Sequence, residues 1–235
     1  LRRARIPAVE LFGHRLDLGL SHVGNDEEAF GTLAAEHLLE RNFARFAFVG
    51  VEEALWSERR LAGFRRATER RSLNPLEALA LSDDDASLAA WEKNQQRLVA
   101  WLRELRRPVG LMGASDRLAL RVLNACRQGG IDVPEQIAVI GVDNDEETCR
   151  LADPPLSSVM DNAREVGCRA AAMMKFCSAM QSVSAPLCGV GEEPYKPSAR
   201  ACSKMRSAAS VPFTTTLQAA GSMRNQPRVA VADFS

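Results

Sequence analysis

Three histidines, one tyrosine and no C-x-x-C pair leave this 235-residue chain with few of the groups that build metal centres and general bases. His14, His22 and His37 fall in the first 37 residues, far in sequence from Cys126, Cys149, Cys168, Cys177, Cys188 and Cys202. No metal site is therefore expected, and cysteines scattered in this way read as reduced thiols in a cytoplasm. Net charge is absent too. Lys plus Arg and Asp plus Glu number 30 each, without the basic excess that free-standing nucleic-acid binding needs. No apolar run approaches the roughly 20 residues that span a bilayer, so no membrane partner is expected. Leu1-Arg2-Arg3-Ala4-Arg5-Ile6-Pro7 has no apolar stretch behind it and does not read as a signal peptide; lacking an initiator Met, it reads as the start of a fragment. The dinucleotide fingerprint, the phosphate loop and the G-x-S-x-G nucleophile elbow are all missing. No cofactor is expected, and an enzyme is disfavoured.

What is present suffices to fold. Hydrophobic residues make up 46% and charged residues 26% of the chain, a balance that supports a buried core. Up to about residue 175, apolar clusters alternate with amphipathic stretches. Strands are expected at Ile6–Phe12, Arg45–Gly50, Ala78–Leu81, Val109–Gly113 and Ile137–Gly141. Helices are expected at Glu28–Glu40, from a Ser57 cap to Arg70, at Leu88–Arg106 with Trp91 on its apolar face, at Asp116–Gln128, and from Asn162 or Ala163 to Met174. Cys126 and Cys168 read as packing residues inside helices, and His37 as a residue of the helix surface or boundary. Apolar strands joined by helices of this length indicate a parallel α/β sheet covered on both faces.

Residues 176–235 differ: 3 acidic and 6 basic residues, 9 Ser, 5 of the 11 Pro and the only Tyr, with no sustained periodicity. They read as a disordered low-complexity tail or as a stretch out of register with the gene, and neither reading assigns chemistry. The division is thus 1–175 as the binding domain and 176–235 as the tail.

In a parallel sheet the ligand sits beyond the carboxyl ends of the strands. There the chain places Trp56, Arg60, Ser115, Asp116, Asp143 and Asn144. A carboxylate accepts from hydroxyls, a guanidinium donates to them, and an indole covers the C–H side of a ring, the set that holds a sugar. Each has a structural reading beside the functional one: Asp116 as a helix N-cap, Asp143 as a turn residue in the loop to Glu147, Trp56 as core, Arg60 as a solvated helix residue. From the residues alone the result is a small-molecule-binding α/β protein.

The runs Ser57–Phe64, Gly110–Ala119, Val133–Asn144, Pro154–Val159 and Val166–Ala171 resemble the effector-binding core of the lactose-repressor family. Within it, Gly141–Glu146 and Ala34–Arg41 are similar to the xylose-operon regulators. The resemblance implies a type I periplasmic-binding-protein-like fold of two α/β lobes closing on a sugar, with the N-terminal lobe truncated. It implies Arg60 and Asp143 as direct sugar ligands, Ser115 and Asp116 as the strand-end polar pair, and Asp26 at the cleft or the dimer face. It further implies a pentose such as xylose as effector, operator DNA bound only through a module missing from this chain, and a homodimer, as family members commonly form. The expected function is the effector core of a carbohydrate-responsive transcription regulator. A transporter-associated sugar-binding protein and a non-functional frameshifted fragment stand as alternatives.

Overall fold

The computed structural model describes residues 8–11, 20–70, 75–82, 87–182 and 229–230. Two short strands, β1 (Val9–Leu11) and β2 (Ser21–Val23), pair in parallel. The main body follows as α1 (Glu27–Glu40), β3 (Phe46–Val51), α2 (Leu55–Glu69), β4 (Glu77–Leu81), α3 (Leu88–Glu104), β5 (Val109–Gly113), α4 (Asp116–Gly129), β6 (Ile137–Asp143), α5 (Glu146–Leu151), β7 (Ser157–Met160) and α6 (Ala163–Ser182). A two-residue strand, β8 (Val229–Ala230), pairs antiparallel with β7.

The sheet runs β4-β3-β5-β6-β7-β8, parallel from β4 to β7. The chain moves outward from β3 to β4, then crosses back to β5, so the winding reverses between β3 and β5. A crevice opens at such a reversal, beyond the strands' carboxyl ends, because the flanking helices leave on opposite faces. β3 and β5 are buried at every position and β4 only at alternate ones, as central and edge strands should be. Leu38 of α1 lies against Gly110 and Ala119 of α4 against Gly113. Positions three apart on a strand face opposite ways, so α1 and α4 cover opposite faces of the sheet. Phe64 of α2, fully buried, meets Phe46 edge-on at 6.1 Å between ring centroids and anchors its helix to β3.

Several boundaries differ from expectation. α2 begins at Leu55 after Ala54, which offers no side-chain cap; Ser57 lies inside the first turn, where its Oγ accepts from the Val51 N–H at 3.0 Å. Its hydroxyl ties the helix to the end of β3 instead of capping it. Trp91 is 38% exposed, because burial on α3 begins only at Asn94. Cys126 is buried as expected, whereas Cys168 is exposed on α6. His37 is buried, its Nδ1 3.1 Å from Arg41 Nη1. α6 continues to Ser182, past the expected end at Met174. Beyond Ser182, the expected disordered tail lies outside the described residues except for β8. Among the described residues no helix is long and apolar enough to cross a membrane.

Candidate functional site

Arg60 sits in the second turn of α2, directly at the winding reversal. It is 5% exposed, an unusual place for a guanidinium unless its donors are matched. They are. Nε donates to Glu27 Oε2 at 2.6 Å, and Nη1 donates to the Ala114 carbonyl at 2.5 Å and to Asp143 Oδ1 at 3.2 Å. One side chain thus joins α1, the end of β5 and the end of β6. Its guanidinium carbon lies 5.4 Å from the Phe30 ring centroid and 5.0 Å from that of Trp56. Cation–π contacts of this kind contribute about 0.5–2 kcal/mol each. Removing one partner of a buried pair costs about 3–5 kcal/mol, so the Glu27 contact matters to keeping Arg60 buried.

Glu27 escaped the sequence reading, which pointed to its neighbour Asp26. Asp26 is the N-cap of α1 and accepts from the Ala29 N–H at 3.0 Å. Glu27 is 7% exposed. The available signal was its register, since 27, 30, 34 and 38 form one helical stripe whose other members, Phe30, Ala34 and Leu38, are apolar. An acidic residue on a buried stripe needs a cation.

Asp143 ends β6, and its side chain is 43% exposed, so it alone of the ion-pair cluster faces solvent. It borders an open cavity of about 710 Å³, with Asn144, Met160, Asp161, Asn162, Arg164 and Glu165 among the other lining residues. Its carboxyl is pushed up to about 6, chiefly by burial and further by the charges of Asp116 and Asp161, against the lowering effect of Arg60. Near neutral pH it is an ionised acceptor held close to its protonation point.

The structure separates the six predicted residues. Arg60 and Asp143 meet, Trp56 lies over Arg60, and Asn144 lines the cavity beside Asp143. Ser115, not Asp116, caps α4, accepting from the Leu118 N–H at 3.3 Å. Asp116 is 2% exposed and makes its contacts behind the strand ends, with Ser158, the Asp145 N–H and Cys149. Burial raises its carboxyl above the usual range despite these hydrogen bonds. Cys149, pushed up to about 12 by burial and by Asp116, remains a thiol.

The chain that builds this node is similar in sequence and in fold to known proteins. A family model described as a periplasmic binding protein-like domain covers residues 35–201. The chain belongs to that family. The resemblance carried by the runs around Arg60, Asp116 and Asp143 is borne out, and so is the expected α/β architecture. Among curated members, the xylose operon regulatory protein of Haemophilus influenzae is 31% identical over 166 residues, 69% of this chain and 42% of that protein. The protein of the same name from Escherichia coli (strain K12) is 32% identical over 156 residues, 65% of this chain and 39% of that protein. The chain therefore spans about two fifths of the length of these periplasmic binding protein-like relatives, which are transcription regulators. Among solved structures, the xylose-binding transcription activator xylR superposes with a TM-score of 0.63 at 28% identity, over 77% of this chain and 48% of that one. A LacI family regulator from Enterococcus faecalis with bound ribose gives a TM-score of 0.62 at 20% identity, over 77% of this chain and 64% of that one, and speaks for the fold alone.

Proposed function

We propose that this chain is the sugar-binding effector core of a transcription regulator of carbohydrate metabolism, with a pentose, xylose foremost, as its ligand. The observation that carries this reading is the Arg60–Asp143 pair at the sheet's winding reversal. Asp143 turns an ionised, part-exposed acceptor toward the cavity, while Glu27 and the Ala114 carbonyl keep Arg60 from moving. Sugar hydroxyls donate to Asp143, Asn144 adds an amide at the same cavity, and Trp56 offers an aromatic face beside the guanidinium. A carboxylate left without its hydroxyl partner costs about 1–3 kcal/mol, which is how such a site tells one pentose from another.

On this reading the ligand draws a second lobe onto the strand ends and shifts a two-state equilibrium. The shift requires tighter binding to the closed state, because a ligand with equal affinity for both states moves nothing. A separate module contacts operator DNA, and the protein works in the cytoplasm as a homodimer. The similarity to the xylose operon regulatory proteins and to the xylose-binding activator supports the choice of sugar.

The test is thermal unfolding of the chain against D-xylose, D-ribose, L-arabinose and D-glucose. Ligand at a hundred times its dissociation constant adds about 2.7 kcal/mol of stability, a rise of several degrees. D-xylose is expected to produce the largest rise. No rise with any sugar at tens of millimolar would contradict the proposal.

A further inference from the structure

The turn that carries Asp143 is held in a conformation that side chains rarely adopt, though Asp and Asn tolerate it better than most. Asp143 has φ 112° and Asn144 φ 54°, two consecutive left-handed positions without a glycine. Hydrogen bonds oppose that preference, and they lead back to one carboxylate. The Asn144 N–H donates to Ser158 Oγ at 3.0 Å, and that hydroxyl donates to Asp116 Oδ1 at 2.6 Å. The Asp145 N–H donates to Asp116 Oδ2 at 2.8 Å. Asp116 and Ser158 are each 2% exposed, so water does not replace these bonds. Space is reserved for the same carboxylate, since a Cβ on Gly141 would collide with Asp116 Oδ1.

We propose that Asp116 is a positioning residue: acting through Ser158 and the backbone of Asn144 and Asp145, it holds the strained turn that aims Asp143 at Arg60 and at the cavity. Its carboxylate is fully engaged behind the strand ends and needs no contact with ligand. The inference rests on the sugar-binding reading for what Asp143 does, and on the turn's own geometry for how Asp143 is held.

The decisive variant is Ser158→Ala, which breaks the relay without changing charge; Ser158→Thr restores a hydroxyl. Two quantities are measured on each: the titration midpoint of the Asp143 carboxyl by carbon-13 NMR without ligand, and the D-xylose dissociation constant by calorimetry at pH 7.5. Ser158→Ala is expected to move the midpoint by half a pH unit or more and to weaken D-xylose about tenfold, and Ser158→Thr to return both toward wild type. A role in packing alone would lower the melting temperature and leave the midpoint in place, and that result would overturn the proposal. If the wild type binds no D-xylose but the midpoint moves as stated, the effector reading falls and the positioning role stands. Asp116→Asn serves as a second probe, and if it fails to fold the Ser158 pair carries the test.

Discussion

At the scale of single residues, the chemistry turns on how one cation is shared. Arg60 faces two carboxylates of different kinds: Glu27, buried and fixed, and Asp143, part-exposed and close to its protonation point. Asp143 titrates at about 6 in the folded protein against an ordinary value of 3.8. Between these values the folded chain holds more protons than the unfolded one. The preference for the protonated form is complete below about pH 4, and stability from this group falls as pH rises to about 6. Sugar affinity runs the other way, because hydroxyls donate to the ionised carboxylate. D-xylose is expected to bind about tenfold more weakly at pH 5 than at pH 7.5, and Asp143→Asn to weaken it by an order of magnitude and remove that dependence, both measured by calorimetry. A flat pH profile in the wild type would take Asp143 out of the site. Asp143 was legible because it closes an apolar strand, and Arg60 because the Ser57–Phe64 run that holds it resembles the family's. Glu27 was not, since Asp26-Glu27-Glu28 has the look of a solvated helix start and only its register with Phe30 and Ala34 gives it away.

At the scale of elements, the crossing of α1 and α2 sets the distance between Glu27 and Arg60. Gly31 abuts the Arg60 carbonyl and Gly63 the Glu28 carbonyl, and a Cβ at either position would collide with the facing backbone. Gly63→Ala is therefore expected to destabilise the fold by about 1–3 kcal/mol or more, read from chemical denaturation. The same spreading of the helices should weaken the Glu27–Arg60 pair, whereas unchanged stability would mean that the helices part freely. Elements with a strong period were readable: β5 is found with the bounds its apolar run implied, and α4 ends one residue from its expected end. β7 was not, because Ser157 and Ser158 interrupt the apolar signal in a strand of four residues. α5 is six residues long and rests on the Asp145 cap, whose side chain accepts from Thr148. A segment that short has no period to read, and it passed for loop. Asp116 and Ser158 became partners only through the pairing of β6 with β7, which no local pattern discloses.

At the scale of the molecule, the order β4-β3-β5-β6-β7 gathers residues that lie 33 to 83 positions apart in sequence around one guanidinium. Such convergence comes from the winding of the sheet and not from any motif. The parallel α/β sheet follows from the alternation of elements and could be read early, and the resemblance implied the family's fold; the division of labour among the polar residues at its crevice could not be read. The central claim is that Arg60, Asp143 and Asn144 form one face of a sugar site. Amide chemical-shift mapping with D-xylose on nitrogen-15-labelled chain tests it most directly. The account predicts saturable shifts centred on Arg60, Ala114, Asp143 and Asn144, all following one dissociation constant. Shifts confined to α3 and the β4 edge, or none up to 50-fold molar excess and beyond, would contradict it.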